Sequence, residues 1–475
     1  MIRKYVIILV VSLICLQTVS SQNHFKISRL DINSRSKELA PSFFRNGLVF
    51  CSDRRSDFIV SYHDYDKNPL TNLYFSEKKK NLNFEIPRLL AKELTTFMFE
   101  GPATFNHDGT LIYFTRSIDI AVGNRNRNRG DTTYGIFMSR LVNGQWSQPI
   151  PFEYNSAAYN TGYPHLSGDG SQLFFCSDNP EGMGGFDIYV STLRSGKWSK
   201  PENLGPEVNT GKNEVFPFYH SNGRLYFASR GLNPKGDLDI YHTMKVDDKW
   251  QKPVRMSEPF NSPQDDYGVI FSNNQDTAYF VSDRHGSADI YAAVSTLPTF
   301  TSCNEQKEND YCYVFYESNN NEIDTTAFAY EWDLGDGTLI RALEAEHCFA
   351  RPDTYHIRLN IVDKMTQDVL ISQAEYEFVV EQIVQPYITV ADTVWAGQEI
   401  TPDARESFLP NFRIENYYWD FGDGSRSQGI EAKYTFPLPG TYNIVLGLSG
   451  KVPGAEESAA SHCITRKIVV LNQKN

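Results

Sequence analysis

Three arginines stand at alternate positions in the run Gly123-Asn-Arg-Asn-Arg-Asn-Arg-Gly130. Arg125, Arg127 and Arg129 make a string of donors suited to a carboxylate, a phosphate or a sugar. Arg54 and Arg55, and Arg284 with His285, follow repeated Ser-Asp pairs and offer similar donors. These seven residues are the candidate binding groups; for the asparagine–arginine run, a mobile polar loop is the plainer reading. Catalysis has less to stand on. HExxH, P-loop and GxSxG elements are all missing from the sequence. The ten histidines are scattered, and no CxxC or Cys/His cluster has zinc spacing. His165 and His220 lie near innermost strands and read as satisfied or solvent-facing rings. Ser52-Asp53, Ser177-Asp178 and Ser282-Asp283 recur, and a residue needed identically in several repeats serves a turn or a contact between repeats.

The elements that carry these residues repeat. The runs LVFCSD (48–53), LIYFTR (111–116), LFFCSD (173–178), LYFASR (225–230) and AYFVSD (278–283) each follow a first apolar run. Asn46-Gly47, Asp108-Gly109, Asp169-Gly170 and Asn222-Gly223 supply turns that tolerate positive φ. Third runs include FDIYVS (186–191), LDIYHT (238–243) and ADIYAA (288–293). WSQP (146–149), WSKP (198–201) and WQKP (250–253) read as a fourth element, their tryptophans 52 residues apart. Four short strands per repeat of about 50 residues is the arithmetic of a β-propeller blade. The fifth repeat stops near Ser295 without a W-x-x-P element. Leu30–Ser34 and Pro41–Phe43 match the connectors between repeats, so the amino-terminal strand is expected to complete the last blade. Five blades are predicted, with six as the alternative. In such a blade the long loops, 53–70 and 116–133, open on the face of the inter-blade connectors, and function is expected there.

Residues 22–300 thus resemble the PD40, or TolB-type, WD40-like propellers of bacterial envelope proteins. Some relatives of that kind carry an OmpA-type peptidoglycan-binding domain or belong to type IX secretion and gliding systems; no OmpA-type segment is present in this sequence.

After residue 300 the pattern changes. Tyr330-Glu-Trp-Asp-Leu-Gly-Asp-Gly337 recurs as Tyr417-Tyr-Trp-Asp-Phe-Gly-Asp-Gly424. The spacing suits two immunoglobulin-like β-sandwiches, 301–384 and 385–475, with Trp332 and Trp419 in their cores and Asp336-Gly337 and Asp423-Gly424 turning hairpins. The signature resembles the PKD domain family, whose members serve as spacers or adhesion modules. The resemblance gives Trp332, Asp333, Asp336, Gly337, Trp419, Asp420, Asp423 and Gly424 a structural role.

Residues 1–21 read as a secretory signal: Arg3 and Lys4, an apolar run from Tyr5 to Leu16, and small residues Val19 and Ser21 before the cut. Ile14 before Cys15 argues against a lipid anchor. The rest of the chain has no apolar stretch long enough to span a membrane. Cys51, Cys176, Cys303, Cys312, Cys348 and Cys463 remain; the first two read as buried thiols in equivalent strands, and one local bridge is expected among Cys303, Cys312 and Cys348. The net charge is −13, of which −14 falls within 301–475. That excludes a nucleic-acid binder. It admits a basic partner or calcium, with a solvated surface as the plainer reading; no other cofactor and no metal site is implied. The expectation is an all-β, exported, non-enzymatic binding or scaffold protein of the gram-negative envelope. It would be periplasmic or outer-membrane-associated, with the cell surface second, and its partner an envelope or outer-membrane protein or a glycan such as peptidoglycan. The competing expectation is a propeller-based polysaccharide lyase or glycoside hydrolase with PKD accessories.

Overall fold

The computed structural model describes residues 24–54, 70–96, 99–118, 133–233, 235–317, 326–454 and 459–472. The leader lies outside them. No helix among the described residues is long and apolar enough to cross a membrane.

Each repeat folds as an antiparallel meander, since its runs are aromatic and β-branched and four of the five repeats carry an Asx-Gly pair between the first two runs. The innermost strands are Glu38–Phe44, Glu100–Phe105, Thr161–Leu166, Glu214–Tyr219 and Asp266–Phe271. Neighbours among them touch in chain order, and the last returns to the first, so the five sheets described form a closed ring. Phe25–Arg29 closes it by pairing with Asp289–Ser295, Phe25 opposite Ser295 and Arg29 opposite Tyr291. An ion pair repeats at the same place in two sheets. Arg29 grips buried Asp289 with two bonds of 2.8 Å, as Arg255 grips Asp239 in the fourth sheet at 2.8 and 2.7 Å. The amino-terminal strand therefore occupies an outer-strand position.

The connectors resemble one another because one asparagine recurs. Asn33, Asn155, Asn209 and Asn261 each use the side-chain amide as a strand would use its backbone. Each accepts from the N–H and donates to the C=O of a third-strand isoleucine: Ile290, Ile136, Ile188 and Ile240 respectively. Asn261 donates also to Met256 O at 2.8 Å. Asn261→Ala would strand these buried groups, and is expected to lower stability by roughly 2 kcal/mol in denaturant titration.

One local reading differs from the structure. The W-x-x-P element is the return of a hairpin, Gln145–Trp146, Lys197–Trp198 or Lys249–Trp250; the outer ladder resumes after the proline, at Ile150–Pro151, Glu202–Asn203 and Val254–Arg255. Proline has no N–H to give a ladder, so pairing breaks there. All five innermost strands also carry a bulge near their third residue. Ala40, Tyr163, Phe216 and Gly268 take φ of 49°, 55°, 55° and 62° at that place. Only Gly268 advertises this conformation in the sequence.

The two modules after the ring are β-sandwiches. Trp332 and Trp419 fill their cores, with indole N–H groups on Ala342 O (3.2 Å) and Gly429 O (2.8 Å). Asp336 and Asp423 each accept the N–H two residues on, closing the expected turns. Two disulfides form: Cys312–Cys348 within the first module, and Cys303–Cys463, which fastens the chain after the ring to the last strand of the second. Cys51 and Cys176 are buried thiols. Asn304–Glu305 pairs in parallel with Ala459–Leu471, so residues just past the expected boundary at 301 belong structurally to the second sandwich.

Candidate functional site

The repeated Ser-Asp-Arg residues resolve into internal chemistry. Glu38, Glu100, Glu214 and Asp266 open their innermost strands fully buried. Such carboxylates require compensation. Arg54 reaches Glu38 at 2.8 Å and Ile32 O at 2.7 Å. Arg284 reaches Asp266 at 2.9 Å and the carbonyls of Pro259 and Phe260. Arg116 lies 3.2 Å from Glu100, and Ser229 Oγ donates to Glu214 at 2.6 Å. The guanidinium groups of Arg54 and Arg284, expected to offer donors to a ligand, are engaged inside the blade. His285 Nδ1 meets Tyr291 OH at 2.5 Å. Arg55, Arg125, Arg127 and Arg129 lie outside the described residues. The Ser-Asp aspartates hold connectors: Asp53 accepts from Lys37 N at 2.8 Å, and Asp178 from Asn160 N at 2.6 Å.

Burial raises Glu100 against the lowering pulls of Thr96 and Arg116, leaving it at about 7. The carboxyl is therefore close to half-protonated at neutral pH.

The bulges turn residues toward the ring axis. The rings of Tyr163 and Phe216 meet edge to face at 4.8 Å, and Phe216 stacks on Tyr267 at 4.9 Å, leaving a cavity of about 40 Å³ at mid-channel. Toward the short inter-strand turns the channel widens to about 440 Å³, walled by Phe43, Phe44, Arg45, His107, His165 and Tyr219 among others. The described cavity thus opens on the face opposite the long loops. His165 Nε2 meets Tyr219 O at 3.1 Å, and burial lowers its pKa to about 4. His220 Nε2 meets Ser272 O at 3.2 Å while its Nδ1 accepts from Asn222 N, and burial lowers it as well. Neutral rings engaged by the backbone hold the wall together; the wall offers aromatic surface with Arg45 and His107 near its rim. Among the described residues no cluster of His, Cys, Asp and Glu is arranged to hold a metal ion.

At the rim of this cavity sits the second sandwich. Ser221 and Asn273 line the cavity; the residues just beyond them hold the module. Arg224 donates to Asp423 O at 2.8 Å and approaches its carboxylate at 3.3 Å, with side chains 4% and 1% exposed. Arg426, paired with Asp420 at 2.9 Å, donates to Asn274 O at 2.7 Å. Tyr442 OH contacts Met244 Sδ at 3.4 Å. Burial would raise Asp423, but Arg224, Tyr434 and the Ser425 N–H outweigh it and hold the carboxyl below its ordinary value. His242, buried beside this pair, is lowered to about 3 by burial and then by Arg224. In the first sandwich the counterpart Asp336 pairs with His347 of its own module at 2.7 Å. The same signature residue closes a turn in both modules and docks a domain in one.

Residues 298–373 and 383–464 each match the PKD domain model. Three solved structures show likeness to the chain. A TolB of Agrobacterium tumefaciens is 13% identical, covering 69% of this chain and 84% of its own, with a TM-score of 0.31. An arabinofuranosidase of Podospora anserina is 10% identical over 57% of this chain and 96% of its own, with a TM-score of 0.36. An oligogalacturonate lyase of Vibrio parahaemolyticus is 12% identical over 57% and 93%, with a TM-score of 0.29. At that level of similarity none transfers a ligand or an activity to this chain.

Proposed function

We propose that this chain, a closed propeller joined to two PKD domains, is an exported, non-enzymatic binding scaffold of the gram-negative envelope. It would take a protein or glycan partner at the channel mouth beside the docked second PKD domain. The observation that carries this reading is the buried Arg224–Asp423 pair, which fastens that domain at the rim of the aromatic cavity. A rim held rigid presents one fixed surface, which lowers the ordering cost of binding. Phe43 is exposed there, a flat platform for a sugar ring or an aromatic side chain. Two disulfides fit an oxidising compartment.

The second reading, a polysaccharide lyase or hydrolase, draws on the same cavity, since Arg45 and His107 stand beside its aromatic wall. A glycan array and a pull-down from envelope extract, each paired with a turnover assay, separate the two. Phe43→Ala with Arg45→Ala is expected to weaken capture by tenfold or more, about 1.4 kcal/mol, with an unchanged melting temperature. Polysaccharide cleavage that disappears in this variant would establish the enzyme instead. If neutral replacement of Arg125, Arg127 and Arg129 abolishes capture while the cavity variant retains it, the partner sits on the long-loop face.

A further inference from the structure

The two PKD domains differ at one sheet edge. In the second, the last strand Ala459–Leu471 is capped along its free side by two parallel pieces, Asn304–Glu305 and Thr393–Trp395. Thr393 lies opposite Val469 and Trp395 opposite Leu471, with Val394 buried beneath. In the first domain the corresponding strand is Val369–Val380: Asp353 faces Val380 as Gly440 faces Val470. Shifting Thr393–Trp395 back by the spacing between Trp332 and Trp419 reaches residues 306–308. Those residues run along the second domain instead. Gln306 N donates to Thr465 O at 2.9 Å, Gln306 Oε1 accepts from Ile388 N at 2.7 Å, and Glu308 meets Arg466 at 2.9 Å. The Cys303–Cys463 bridge fixes them there. The first domain has given its capping strand to the second.

Val369–Val380 is consequently an edge of 12 residues with no strand on its outer side among the described residues. Val369, Leu370, Tyr376 and Val379 are exposed, and Phe378 is half-buried where its counterpart Ile468 is fully buried. A long apolar edge of this kind is a template for pairing. A second copy is a poor occupant: two such edges brought together about Tyr376 set Glu375 against Glu377, like charge against like. Both glutamates are exposed on the outward face, Glu375 shared with Arg358 of the neighbouring strand at 3.0 Å, in a region whose net charge is −14.

We propose that this edge accepts, in parallel, an extended segment of another protein in which apolar residues alternate with lysine or arginine. Its backbone would continue the sheet, its apolar side chains would cover Tyr376 and Phe378, and its basic ones would meet Glu375 and Glu377. The site shares no residue with the channel mouth and stands or falls apart from the function proposed there.

The test uses the full chain and a synthetic peptide of about ten residues alternating valine with lysine, against the same peptide with glutamate for lysine. Anisotropy titration should show the lysine peptide binding at least tenfold tighter. Hydrogen exchange should show it protecting amides within 374–380 and leaving those of 464–470 unchanged. Glu375→Lys with Glu377→Lys, both at exposed positions, should reverse the preference toward the glutamate peptide. Equal binding of the two peptides, binding without protection of 374–380, a preference unmoved by charge reversal, or a dimer of the free chain paired through 369–380 would each overturn the proposal.

Discussion

Arg224→Ala is expected to destabilise the docking of the second PKD domain by about 3–5 kcal/mol, the range seen when one partner of a buried pair is removed. Asp423 would then keep its charge at a site where it is 1% exposed, with Tyr434 OH and the Ser425 N–H as remaining partners. The substitution also deletes the donor to Asp423 O. Undocking should expose Met244 and Tyr442, and a protease should then cut between ring and sandwich while each core survives. Replacing both residues, Arg224→Met with Asp423→Asn, removes the uncompensated charge while an amide oxygen still accepts from the Ser425 N–H, and should recover most of the loss. Because the Asp423 carboxyl is held below its ordinary value, its contribution is present above the unfolded pKa of about 4 and is lost as pH falls through the lower folded value. Denaturant titration of the single and double variants at neutral pH measures the difference. Equal loss in both would mean that packing, not charge, holds the interface.

What the sequence made legible follows the repeats. Asn33 and Asn261 stand in matching connectors because each pairs with an isoleucine of a third strand, and that shared duty let the amino-terminal segment be read as a ring closure. Trp332 and Trp419 were equally plain, since each fills one sandwich core. Contacts made once leave no period. Arg224 opens its second strand where Gly47, Leu111, Gln172 and Thr277 open theirs, so a lone buried charge was the signal for a docking surface, visible only against the other four. The bulged Tyr163 and Phe216 gave no such sign, because positive φ was imposed by the closing ring on residues that do not favour it. The donated strand at 304–305 was hidden for a further reason: parallel pairing across 160 residues has no local turn to announce it. Arg116, read as the match of Asp53 and Asp178, registers with Ser52 and Ser177 and still reaches its carboxylate, Glu100. The purpose of a repeat motif survived a slip in its register.

Acidification from pH 6.5 to 4 is expected to cost about 3 kcal/mol through His242 alone, at 1.36 kcal/mol per pH unit. The ring is 3% exposed, and burial, then Arg224, lowers its pKa to about 3, against a raising pull from Asp423. Unfolded chains take up the proton below pH 6.5, while the folded protein refuses it until nearer 3. The stabilising effect of the neutral ring is therefore whole above 6.5 and drains as pH falls. His165 acts in the same sense, but it faces the channel cavity and is only partly shielded, so its share is smaller. Glu100 acts in the opposite sense. Held at about 7 by burial, it burdens the folded state with a charge at neutral pH and relieves it as pH falls from 7 toward 4.5. The profile of the unmodified chain mixes these terms, whereas differences between variants separate them. His242→Phe keeps a ring beside Tyr226, whose centroid lies 5.7 Å away, and should leave stability at pH 7 within about 1 kcal/mol. Its advantage over the unmodified chain should then grow to about 3 kcal/mol at pH 4. Glu100→Gln should show the reverse trend, its advantage greatest at pH 7 and fading toward 4.5. Two parallel profiles for His242→Phe and the unmodified chain would mean that water reaches the ring and that the interface beside Arg224 is open.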